Sequence, residues 1–71
     1  MQTLVFKTSL YNRSRISDIE SDLDVHPHIF QWNVDLHDVD KILRVLANDI
    51  SGEEVENIVL NAGYYCEELK D

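Results

Sequence analysis

Seventy-one residues are the length of one small domain, and residues 1–71 are read as a single unit. Hydrophobic residues make up 44%, ordinary for a chain that folds. Six basic against 14 acidic residues leave a net charge of −8, which argues against nucleic acid and anionic membrane surfaces as partners. A single cysteine excludes an intramolecular disulfide and any multi-cysteine metal site within one chain. No apolar run approaches the roughly 18 residues of a membrane span, and Met1-Gln2-Thr3 does not open a signal peptide, so the expected location is cytoplasmic.

Leu4, Phe6, Thr8 and Leu10 alternate with Val5, Lys7 and Ser9, the period of two that a strand requires. Tyr11-Asn12-Arg13 reads as a loop, with Ser14 as the expected N-cap of a helix whose apolar face is Ile16, Ile19 and Leu23. Its other face carries Asp18, Glu20, Asp22 and Asp24. The pairs Asp18/Asp22 and Glu20/Asp24 are like-charged at i, i+4, so packing must hold this helix. Pro27 ends it by disfavouring helical geometry at His26.

Ile29 to Leu36 is the second strand, with Phe30, Trp32, Val34 and Leu36 alternating against Gln31, Asn33 and Asp35. The turn His37–Asp40 leads into a third strand from Lys41 to Ala47. Ser51 with Glu54 three residues later fits a capping box, followed by the stripe Val55, Ile58, Val59 and Ala62. Gly63 suits the left-handed position after a helix, and Tyr64 to Leu69 is the fourth strand. The order β-α-β-β-α-β implies an α+β ferredoxin-like plait: a four-stranded antiparallel sheet with two helices on one face. Its inward set is Leu4, Phe6, Leu10, Ile16, Ile19, Leu23, Ile29, Trp32, Val34, Leu43, Val45, Val55, Ile58, Ala62 and Cys66.

Phe6–Leu10, Ile29–Leu36 and Ala62-Gly63-Tyr64, in that order and spacing, resemble the heavy-metal-associated domain, the fold of small copper chaperones and of metal-ATPase N-terminal domains. Leu10 stands where that family has a buried methionine or another apolar residue. The resemblance implies a soft-metal site of form Cys-x-x-Cys at the start of the first helix. Here those two positions are Asn12 and Arg15. An amide and a permanent cation do not replace two thiolates, so the resemblance implies a degenerate domain without that metal site and without a cofactor.

Other metal-binding combinations are weaker. His26-x-His28 flanks a proline, and the plait places it at the pole opposite His37, Asp38 and Asp40, so the three histidines do not converge. A carrier with atypical ligands would have to use His37, Asp38 or an intermolecular pair of Cys66. Cys66 alternates toward the core, where free cysteine behaves as a small hydrophobe. No phosphate loop, nucleophile elbow or paired-histidine metalloprotease motif is present, so no enzymatic activity is expected.

The helix-free face of the sheet is the expected contact surface for a protein partner or for self-association. By alternation it presents Val5, Lys7, Gln31, Asn33, Ile42, Arg44, Leu46, Tyr65, Glu67 and Leu69. Apolar side chains there surround two of the six basic residues, Lys7 and Arg44.

Overall fold

In the computed structural model, which describes residues 1–70, the chain runs β1 (Gln2–Thr8), α1 (Arg13–Asp24), β2 (Ile29–Asp35), β3 (Ile42–Ala47), α2 (Gly52–Asn61) and β4 (Cys66–Glu68). The strands form one antiparallel sheet in the order β2-β3-β1-β4, the plait that the order of elements implies. Pairings such as Leu4 with Val45, Phe6 with Leu43 and Thr8 with Cys66 put these side chains on one side of the pleat. Ile19 and Leu23 of α1 and Val55 and Val59 of α2 close over that same side, giving one apolar cluster.

Several boundaries move, each for a local reason. β1 runs two residues earlier than expected. Leu10 lies beyond it yet is fully buried, its N–H donating to Thr8 Oγ1 at 3.1 Å. The N-cap of α1 is Asn12 and not Ser14: Asn12 has an extended backbone (φ −151°, ψ 172°), and its Oδ1 accepts from the Arg15 N–H at 2.9 Å. Lys41 takes a left-handed backbone (φ 47°), so β3 starts one residue later, at Ile42. Gly63 is left-handed (φ 98°), and the Tyr64 N–H still donates back to the Val59 carbonyl. Pairing with β1 therefore begins only at Cys66.

β2 contains a bulge. Ile29 faces Ala47 while Gln31 faces Leu46, which leaves Phe30 as the extra residue. That insertion lets Ile29 and Trp32 share the helix side although they are three positions apart, and it turns Phe30 out to 54% exposure. Trp32 is only half-buried, because β2 is an edge strand and covers it on one side alone. Its indole Nε1 donates to Asp24 Oδ1 at 2.8 Å.

Ile42 is a second correction. Alternation places it on the helix-free face, yet it is 6% exposed. It sits at the root of the β2–β3 turn, which Lys41 draws in through Nζ to the Leu36 carbonyl at 2.8 Å. The Thr8 N–H ties the same turn to β1 through the Asp40 carbonyl at 3.1 Å.

Candidate functional site

The loop between β1 and α1 packs beside the segment that follows α2. Ser9 makes that junction: its N–H donates to the Tyr65 carbonyl at 3.1 Å, and its Oγ accepts from the Tyr65 N–H at 2.9 Å. Thr8 is the buried polar residue beneath it. Its hydroxyl donates to the Lys41 carbonyl at 2.6 Å and accepts from the Leu10 N–H, so no buried hydrogen-bonding capacity is wasted. Two hydroxyl residues at a strand end are the sequence signal for this junction, and their partners lie too far along the chain to be read from it.

Arg15 occupies the centre. Its Nη1 donates to the Ser9 carbonyl at 3.0 Å. Its guanidinium carbon lies 5.0 Å from the Tyr11 ring centroid and 5.5 Å from that of Tyr64, both within cation–π range. The Tyr64 hydroxyl in turn donates to Asp18 Oδ2. That hydrogen bond is the main reason the Tyr64 phenol is held above its ordinary value of 10.0. Desolvation and the Asp18 charge act in the same sense, and Arg15 opposes them. Asn12 and Arg15 both lie at the start of α1, joined by the Arg15 N–H donating to Asn12 Oδ1. Sequence reasoning missed Tyr11, Tyr64, Asp18 and Ser9, the residues that hold them.

The donor chemistry of this loop does not suit a soft metal ion. The Asn12 carboxamide oxygen is already engaged by a backbone N–H, and Arg15 brings a delocalised positive charge with no acceptor atom. Among the described residues, no three His, Cys, Asp or Glu side chains converge in a way that could hold a metal ion. His26 packs at the start of α2, its Nε2 3.5 Å from Glu54 Oε2, while its Nδ1 accepts from the His28 N–H at 3.1 Å. The His37 N–H donates to Asp35 Oδ1, and the Asp40 N–H to Asp38 Oδ1, so these carboxylates shape the β2–β3 turn. Cys66 is 5% exposed. Burial, helped by the Glu56 charge, pushes its thiol up to about 12.

The helix-free face is mixed in character. Tyr65 and Leu69 are 47% and 44% exposed, and Val5 and Leu46 are half-buried. Lys7 and Arg44 are exposed there, but Lys7 Nζ lies 3.7 Å from Asp40 Oδ1 and faces Glu67 across the sheet, which lessens the local positive charge.

No family model matches this sequence, and the search of curated proteins finds no match. Solved structures do match. The N-terminal domain of PacS from Synechocystis is 20% identical with a TM-score of 0.81, covering 99% of this chain and 100% of its own. The yeast copper transporter domain Ccc2a is 16% identical with a TM-score of 0.83, covering 100% and 99%. The first domain of the human copper chaperone CCS, in its copper(I)-loaded form, is 18% identical with a TM-score of 0.76, covering 93% and 89%. The chain has the fold of heavy-metal-associated domains.

Proposed function

We propose that this chain is a non-enzymatic protein-contact module on the heavy-metal-associated fold, with an arginine standing where the fold's copper-binding members place a metal ligand. The observation that carries the reading is the seat of Arg15. A guanidinium fixed by the Ser9 carbonyl and flanked by Tyr11 and Tyr64 supplies the loop with its own cation, and that charge repels an incoming one. The rival reading is a carrier using His37, Asp38 or a Cys66 pair between two chains: the burial of Cys66 and its reluctance to ionise disfavour the pair, and His37 and Asp38 belong to no convergent group of three metal-ligating side chains among the described residues.

Protein contact is supported by the solved complex of Atx1, Cu(I) and Ccc2a, in which a domain of this fold meets a partner. The surface proposed here is the helix-free sheet face, through Val5, Leu46, Tyr65 and Leu69 with Lys7 and Arg44 beside them. Ile42 is too buried to contribute directly.

The test is titration with Cu(I) under reducing conditions against a competing chelator. No one-to-one complex is expected from the parent. The Asn12→Cys/Arg15→Cys double variant should acquire a soft-metal site. A chelator-resistant complex of the parent would overturn the proposal. For the surface, sedimentation or partner binding should weaken in Leu69→Glu, the exposed position, and a contact mapped wholly elsewhere would remove this face from the proposal.

A further inference from the structure

A second surface stands apart from the helix-free face and does not depend on the fate of the metal loop. β2 is an edge strand of seven residues, so alternate N–H and C=O groups along it point away from β3 with no strand beside them. Against its helix side lie two adjoining clefts, of about 260 and about 430 Å3, and Trp32 and Asp24 line both. One continues over Phe30, which the bulge turns outward. The other runs over Ile16, Val34 and Leu36, with Glu20 at its border.

The charge beside these clefts is unusual for a helix end. Glu20, Asp22 and Asp24 crowd toward the C-terminus of α1, where the backbone dipole disfavours carboxylates, and no basic residue occupies the last turn. Glu20 and Asp24 repel each other at i, i+4, and neither makes a salt bridge among the described residues. Asp24 spends one oxygen on the Trp32 indole. Arg13 is the cation that borders the larger cleft, at the far end of the helix.

We infer that the β2 edge and the clefts under α1 bind an extended basic segment of a partner protein, which adds to the sheet as a fifth strand. Backbone pairing along Trp32–Asp35 supplies the ladder, beyond the bulge that interrupts it at Phe30. Side chains on the helix side of the added strand enter the clefts. Lys or Arg fits there: the aliphatic stem lies along Trp32 and Ile16, and the charged head reaches Glu20 and Asp24. The indole face and the carboxylates of Glu20 and Asp24, which make no salt bridge among the described residues, favour a cation in that place and disfavour an acidic strand.

The experiment uses a synthetic peptide of about eight residues alternating Lys with Val, long enough for one strand. Binding is followed by the fluorescence of Trp32, the only tryptophan. The peptide should change the emission saturably, and affinity should fall as salt rises. A peptide of equal charge with every backbone N–H methylated cannot donate to the ladder and should bind at least about tenfold more weakly. Glu20→Gln should weaken the Lys-Val peptide by a comparable factor. Glu67→Gln, an equal charge change on β4 at the opposite edge of the sheet, should not. Equal binding of the two peptides, equal effects of the two substitutions, or no response at Trp32 would each overturn the inference.

Discussion

The two helices begin with the same device and opposite charges. Asn12 Oδ1 accepts from the Arg15 N–H at 2.9 Å, and Ser51 Oγ accepts from the Glu54 N–H at 3.2 Å, each satisfying one orphan donor. α2 then places Glu53 and Glu54 in its first turn, where the helix dipole favours them. α1 has no acidic residue there and carries Arg13 and Arg15 instead, against the same dipole. Tyr11, Tyr64 and the Ser9 carbonyl offset that cost for Arg15, and nothing comparable is needed in α2. A helix start that keeps a cation against its own field holds it through contacts outside the helix, local ones from Ser9 and Tyr11 and a distant one from Tyr64.

The capping box itself is half made in α2. Ser51 supplies its bond, but the Glu54 carboxylate lies 3.5 Å from His26 Nε2 instead of closing the box.

The largest expected effect tests whether packing alone carries the like-charged α1. Leu23 is fully buried, so Leu23→Ala should cost about 2–5 kcal/mol, comparable to the whole stability expected of so small a domain. A denaturant melt that keeps the parent's midpoint would show that α1 is not held by its apolar face. Trp32→Ala should cost less than a fully buried aromatic would, about 1.5–3 kcal/mol, because part of the side chain already meets water. A larger loss would mean that the Trp32–Asp24 hydrogen bond organises the end of α1 as well.

The caps come next. Asn12→Ala and Ser51→Ala should each cost about 0.5–2 kcal/mol, measured by thermal or chemical unfolding. If only Asn12→Ala destabilises, the two helix starts are not equivalent in mechanism. Arg15→Gln should cost about 1 kcal/mol at most, since the cation–π contacts it loses are worth about 0.5–1 kcal/mol each at exposed sites and relief from the dipole opposes them. A stabilising Arg15→Gln would show that the dipole outweighs the tyrosines.

High pH gives a final probe. Tyr64 and Cys66 both hold their protons more tightly when folded, through the Asp18 hydrogen bond and through burial respectively. Their contributions are complete below the unfolded values of 9.0 for the thiol and 10.0 for the phenol, and they fade as pH rises through the folded values, for Cys66 between 9.0 and about 12. Asp18→Asn should lessen the Tyr64 part of this alkaline loss, leaving what desolvation contributes, and should leave the Cys66 part unchanged. Native Cys66 should also resist alkylation near pH 8 and react once the chain unfolds.

Periodicity made the elements legible. Leu4, Phe6 and Thr8 at alternate positions mark a strand, and Val55, Ile58, Val59 and Ala62 mark a helix face, because each pattern repeats within a few residues. The left-handed Gly63 was legible for the same reason. Gly52 was not: it opens α2 under the Glu68 carboxylate, which any Cβ there would overlap, and Glu68 lies sixteen positions along the chain. Ser14 and Asn12 are both good cap residues by type, and the extended backbone at Asn12 makes it the cap.

The order of elements, the capped start of α2, the acidic face of α1 and the absence of thiols around Asn12 and Arg15 can be read from the chain alone. Tertiary structure decided the rest. The bulge at Phe30 depends on how β2 meets β3, and it alone settles that Ile29 and Trp32 share a face while Phe30 meets water. The burial of Ile42 depends on a turn tied to β1. The setting of Arg15 depends on Tyr64, almost fifty residues away, brought beside it by the Ser9–Tyr65 pairing. Local patterns fix which residues form an element, because dihedral preferences and side-chain spacing act over a few residues. Which charges and rings meet in space is decided only when the strands pair.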